Sequence, residues 1–111
     1  MIKRLFKALK EAVKGKPLAI RSTKWENVRK SHLKAFPVCA ACGCDYQLQV
    51  HHIVPFHIDK SLELEPTNLI TLCEGSGEHQ CHLNIGHLGN FKNYNPQVIE
   101  DAKKFLERIK N

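Results

Sequence analysis

Cys39-Ala-Ala-Cys42-Gly43, Val50-His51-His52-Ile53-Val54-Pro55, Thr67-Asn68-Leu69-Ile70-Thr71-Leu72-Cys73 and Gln80-Cys81-His82 follow one another between residues 39 and 87. That stretch holds all five cysteines of the 111-residue chain and six of its seven histidines. Thiols and imidazoles are the side chains that bind transition metals, so their concentration predicts metal chemistry. Cys39-x2-Cys42 with Gly43 behind it reads as a zinc knuckle, two thiolates on a tight turn whose amides can point at the sulfurs. A tetrahedral zinc needs two more ligands, and Cys73 and Cys81 are the pair on offer. The seven residues between them are long for a knuckle, but Gly75 and Gly77 let the chain fold back. Cys44 and His79 remain open as substitutes. The odd cysteine count favours zinc thiolates in a reducing cytosol over a disulfide framework.

Working outward, Tyr46 to Ile53 alternates loosely and reads as a strand delivering His51 and His52. Adjacent strand residues face opposite sides, so both can serve one site only if the strand ends or bends near Pro55. Residues 56–66 read as a loop anchored by Ile58, Leu62 and Leu64. Thr67 to Leu72 reads as a second strand led in by Pro66 and Asn68. Cys81 to Ile85 looks like a turn or two of helix interrupted at Gly86. Asn95-Pro96 is a helix start, and Val98, Ile99, Ala102, Phe105, Leu106 and Ile109 form the apolar face of the helix that follows. Upstream, Thr23-x-x-Glu26 fits a capping box for a helix to about Ala35, with Trp25, Val28 and Leu33 apolar and the remainder basic. Residues 2–14 read as a short basic amphipathic helix ended by Gly15 and Pro17. The organisation expected is an N-terminal basic helix and linker over 1–20, then one domain over 21–111.

A one-domain length leaves a thin apolar core that gains from a metal staple. No apolar run reaches the ~20 residues of a membrane span, and the Lys-Arg-Leu-Phe-Lys opening lacks a cleavage site, so a mature cytoplasmic protein is expected. Seventeen Lys and Arg against eleven Asp and Glu give a net charge of +6. That balance suits a polyphosphate partner, though charge alone decides little.

The order Cys-x2-Cys-Gly, Val-His-His-Ile-Val-Pro, Asn-Leu-Ile-Thr-Leu-Cys, Cys-His resembles the HNH nucleases, over about Trp25 to Asn95. Pro-Phe-His, Leu-Glu-Leu-Glu-Pro-Thr-Asn-Leu and Gly-His-Leu-Gly-Asn-Phe resemble the small members in bacteriophages and bacteria. The resemblance implies an α+β fold with a ββα-metal (His-Me finger) core, flanking helices and a structural zinc on Cys39, Cys42, Cys73 and Cys81. It assigns His51 and His82 to a catalytic divalent ion (Mg²⁺, Mn²⁺, Ni²⁺ or Zn²⁺), His52 to the general base, and Asn68 to bracing the loop and orienting that base. Many members carry a further ligand four residues after the final His. That position is Gly86 here, and His87 comes one later. Five residues on an ideal helix turn about 140°, so His87 joins His82 only if the helix breaks at Gly86.

The activity implied is one-metal hydrolysis of DNA phosphodiesters. His52 takes a proton from the attacking water, the metal faces a phosphate oxygen and the leaving 3′ oxygen, and products carry 5′-phosphate and 3′-hydroxyl ends. Arg21, Lys24, Arg29, Lys30 and Lys92 are the residues expected to hold the backbone. Double-stranded DNA is the expected partner, in a bacterial cell or phage-infected host, with phage packaging or recombination proteins as further partners by analogy and a monomer or weak dimer as the state. The alternatives are a non-catalytic zinc module that binds nucleic acid, and a zinc protein with a structural site only. His32 and His57 read as ordinary surface or core residues.

Overall fold

The computed structural model describes residues 21–75 and 79–110; the helix expected over 2–14, its linker and Gly77 lie outside them. Two antiparallel strands form the centre, β1 (Leu48–His52) and β2 (Leu69–Cys73), in a register that pairs Leu48 with Cys73 and His52 with Leu69. β2 begins later than its apolar pattern suggests because Pro66–Asn68 closes a 3-10 turn, with the Glu65 side chain accepting from Thr67 N. It runs one residue further, which places Cys73 on the strand itself.

A two-stranded sheet is marginal alone. Here α1 (Trp25–Ala35) touches both strands, and so does a single π turn (His82–Gly86). Pleating sends neighbouring side chains to opposite faces. Thus the His52 ring stacks on Trp25 of α1 at 4.5 Å, while His51 meets His82 of the π turn at 5.0 Å. The final helix, α2 (Val98–Lys110), packs on the π turn. The fold is α+β with flanking helices as expected, but the helical part after the hairpin is one wide turn.

The core cluster consists of Cys39, Ala41, Cys44, Ile70, Leu72, Cys73, Cys81, Val98 and Ala102. Four of these nine are cysteines, and three of them, Cys39, Cys73 and Cys81, belong to one group of four sulfurs, so the thiols are part of the core itself. Stability must then lean on whatever joins the sulfurs.

Several local expectations are corrected. Thr23 does not cap α1: Lys24 sits at the N-cap without a side-chain bond, and Ser22 supplies the turn by accepting from Lys24 N on its Oγ and from Trp25 N on its carbonyl, both at 3.1 Å. Ser22 is fixed there because its own N–H donates to the Glu63 carboxylate. The buried residue of α1 is His32, with Trp25, Val28 and Leu33 half-buried. Ile58 is exposed instead of anchoring its loop, and Glu63 is buried in its place, bonded to Ser22 and paired with Arg21 at 3.8 Å. On α2 Val98 and Ala102 are buried and Phe105 and Leu106 half-buried, whereas Ile99 and Ile109 are exposed. The helix begins two residues later than read, at Val98, and Asn95 instead holds the turn of Pro96 and Gln97 that leads into it. The Asn95 Oδ1 accepts from Gln97 N at 2.9 Å, while its Nδ2 donates to Ile85 O at 2.9 Å and so ties α2 to the π turn.

Candidate active site

The two ends of the hairpin carry two ligand clusters. Cys39, Cys42, Cys73 and Cys81 bring their sulfurs within 4.8 Å of one another. Cys42 and Cys73 lie 3.7 Å apart, against the about 3.8 Å that a tetrahedron of ~2.3 Å Zn–S bonds requires. Gly43 takes φ +80°, closed to most side chains, and its N–H donates to Cys39 O at 2.9 Å. Amides of Cys42 and Cys81 donate to the sulfurs of Cys39 and Cys73, at 3.5 and 3.3 Å. Neither Cys44, which donates to Tyr46 O, nor His79, which packs on Phe105, belongs to this group of four.

The thiols are electrically unequal. A hydrogen bond from Cys81 pulls Cys39 down to about 4, burial pushes Cys42 up to about 12, and donation to Cys39 pushes Cys81 higher still. Four sulfurs this close cannot all ionise without a cation among them, and zinc suits that donor set.

The second cluster is His51, His82 and His87, whose nitrogens also lie within 4.8 Å of one another. His87 joins without a helix break. The π turn hydrogen-bonds His87 N to His82 O at 3.1 Å, an i→i+5 closure that returns the two rings to one face. The extra residue between His82 and His87 is absorbed by a wider turn. Gly86, the last residue of that turn, packs closely on the core: a Cβ there would stand 3.1 Å from Leu72 Cδ1 and 3.2 Å from His51 Cε1, and both neighbours are buried. Gly86→Ala is therefore expected to cost about 1–3 kcal/mol and to weaken ion binding by displacing His51, measured by denaturation and metal titration. Unchanged values would contradict the close approach.

Tautomers in this cluster are set by outer partners. His82 Nδ1–H donates to Glu74 Oε1 at 2.7 Å, and His87 Nδ1–H donates to Asn93 O at 2.8 Å. Both Nε2 atoms are thereby left with lone pairs, and they face each other at 3.2 Å. Two lone pairs at that distance repel unless a cation lies between them, and the distance matches neighbouring ligands on a metal at ~2.1 Å. His51 Nε2 is buried with no hydrogen-bond partner, a further orphan that an ion would satisfy. Glu74 was not singled out in the sequence, because a carboxylate beside Cys73 carries no spacing signal. As a carboxylate behind a ligand, Glu74→Gln is expected to weaken divalent-ion affinity about 10- to 100-fold by calorimetry while the zinc content holds. Equal affinity would remove Glu74 from the site.

Burial holds His51 down at about 3, helped by the nearby His82 and His87, and it also lowers His82. An unfolded chain protonates such rings near 6.5. Their contribution to stability is therefore complete above about pH 6.5 and is lost as pH falls toward about 3. The unfolding midpoint should drop between about pH 7.5 and about pH 5, and a flat profile would contradict neutral burial.

His52 occupies the other face of β1. Its Nε2–H donates to Glu63 O at 2.9 Å, which leaves Nδ1 as the basic atom, and burial lowers its pKa. Asn68 holds the connection that carries Glu63: its Oδ1 accepts from Val54 N at 2.8 Å and its Nδ2 donates to Val54 O and Leu62 O, both at 3.1 Å. The asparagine thus acts on His52 through the backbone next to Glu63.

All four of His51, His52, His82 and His87 border one cleft of about 400 Å³. Arg21 and Lys92 also line it, Arg21 with its guanidinium over the Phe56 ring at 4.6 Å. Lys24, Arg29 and Lys30 stay on α1 and do not line that cleft. No helix of the described residues is long and apolar enough to cross a membrane.

A family model described as HNH endonuclease matches residues 39–87. No curated protein and no solved structure matches the chain. The segment that is similar to the HNH endonuclease model, residues 39–87, contains every residue of both clusters.

Proposed function

We propose that this domain is a metal-dependent endonuclease that hydrolyses phosphodiester bonds of DNA, with zinc on the four cysteines and a divalent ion on His51, His82 and His87. The observation that carries the reading is the pair of Nε2 lone pairs facing at 3.2 Å beside a histidine whose Nδ1 is left basic. When bound, the divalent ion supplies positive charge to the phosphate oxygens and the leaving 3′ oxygen, where charge develops. His52 Nδ1 accepts a proton from the attacking water, and its Nε2–H bond to Glu63 O keeps the ring oriented for that role. Asn68 is a positioning residue, since it reaches His52 through the loop it braces.

Arg21 and Lys92 hold phosphates at the cleft, and the exposed Lys24 and Lys30, with half-buried Arg29, attract the flanking backbone in a salt-dependent way. Such contacts carry no base preference.

The test is cleavage of supercoiled plasmid by protein stripped of its exchangeable ion, with Mg²⁺, Mn²⁺, Ni²⁺ or Zn²⁺ restored singly. Nicked or linear DNA with 5′-phosphate and 3′-hydroxyl ends, dependent on the ion, is the expected result. DNA binding without cleavage under every ion would instead leave a zinc-stapled binding module.

A further inference from the structure

The cleft has more aromatic surface than phosphate hydrolysis needs. Phe91 is 56% exposed and Tyr94 36%, and both line the cleft beside Lys92. The opposite wall carries Phe56 with the Arg21 guanidinium over it. Phe91 is not loosely placed. Its ring lies 5.0 Å from that of His87 and 5.7 Å from that of His82, so one side touches the ion's ligands and the other meets solvent. The segment presenting it is closed by Gly89 N to Leu83 O at 2.8 Å, Asn93 N to Asn90 O at 2.8 Å, and the bond from His87 Nδ1 to Asn93 O. The same turn therefore orients a metal ligand and an exposed ring.

An exposed benzyl ring beside a lysine in a phosphate-binding cleft matches the way single-stranded nucleic acid is held, with backbone charge neutralised and a base stacked on an aromatic face. In a paired duplex the base faces are occupied by their neighbours, so a base can reach Phe91 only after leaving the stack. His51 and His52 are both buried at the cleft, so the scissile phosphate must enter it, and the attached nucleotide follows.

We infer that Phe91 is a stacking platform for an unpaired nucleotide next to the scissile phosphate, which makes the preferred substrate DNA locally unpaired at the cut. This inference rests on the nuclease reading and adds the substrate class. Lys92 binds the neighbouring phosphate, and the Tyr94 ring extends the apolar wall.

The test compares kcat/KM on matched duplexes, one fully paired and one with a single unpaired nucleotide, for wild type, Phe91→Leu and Phe91→Tyr. Binding of the same duplexes to His52→Ala is followed by anisotropy. Wild type should favour the unpaired site roughly 5- to 150-fold, the equivalent of one base stacked on one aromatic ring. Phe91→Leu, which keeps apolar bulk against His87, should lose that preference, whereas Phe91→Tyr should keep it. Content of the second ion should be equal in all three. Equal cleavage of both duplexes by wild type, or a preference that survives Phe91→Leu, would overturn the inference. Absence of cleavage on every duplex would overturn the nuclease reading instead, and the anisotropy preference, present or absent, would still decide this one.

Discussion

His52→Ala is expected to lower kcat for DNA cleavage by about 10²–10⁴, the range supplied by a positioned general base. The loss should fall on kcat with little change in KM, because the role proposed for His52 Nδ1 is to take a proton from the attacking water and not to anchor the backbone. The Nε2–H bond to Glu63 O is a second consequence of the ring, and its removal leaves a buried carbonyl short of a donor. The variant should therefore also unfold about 1–3 kcal/mol more easily, a cost small enough to leave a folded fraction for assay. Comparison with His52→Gln, which keeps a donor for Glu63 O without a basic nitrogen, separates the two effects. Cleavage retained within a few-fold in both variants would assign the base elsewhere.

Removal of the zinc proposed for the four cysteines is expected to be the other large effect. Structural zinc contributes about 10–16 kcal/mol in small zinc domains, which equals or exceeds the ~5–15 kcal/mol net stability of a folded domain. Three of the nine core-cluster residues, Cys39, Cys73 and Cys81, belong to the four-sulfur group, so loss of its ion strikes the core directly. A strong chelator, or Cys73→Ser, should abolish the cooperative unfolding transition seen by circular dichroism, and cleavage should disappear with it. Cys73 is the sharper probe of the two thiol pairs. It pairs with Leu48 at the end of the hairpin and accepts from the N–H of Cys81, the residue before His82. The cysteine cluster and the histidine cluster thus adjoin along the chain at Cys81 and His82. A variant that kept its transition and its cleavage would contradict the staple.

The two clusters that the fold brings together were legible in the sequence by different routes: Cys39 and Cys42 by their spacing, Cys73 and Cys81 as the remaining pair of thiols, and His51 and His82 through the resemblance to HNH nucleases. His87 was reachable as a ligand only by supposing a break at Gly86, since an α-helix separates i and i+5 by about 140°. A π turn solves the same problem without a break, and nothing in the residue types distinguishes it from the start of an α-helix. Glu74, Glu63 and Asn93 were invisible for a different reason: they act through an outer hydrogen bond or a backbone carbonyl, which has no residue signature. Thr23 failed as a cap because the Glu63 carboxylate, 41 residues away from Ser22, fixes the chain one residue earlier. That competition is tertiary. Arg21 was read as a phosphate ligand, and the fold adds an ion pair and a place over Phe56 that the charge alone could not indicate.

The central claim is that a second, exchangeable ion on His51, His82 and His87 is the switch for cleavage while the zinc is not. Its most direct measurement is a titration of zinc-loaded protein, free of other ions, with Mn²⁺, in which bound metal and plasmid cleavage are read on the same samples. Cleavage should rise in step with one added ion per chain, zinc content should stay constant, and His87→Ala should abolish both the binding and the cleavage. Full cleavage with zinc in the cysteine site and no second ion, or ion binding that survives His87→Ala unchanged, would contradict it.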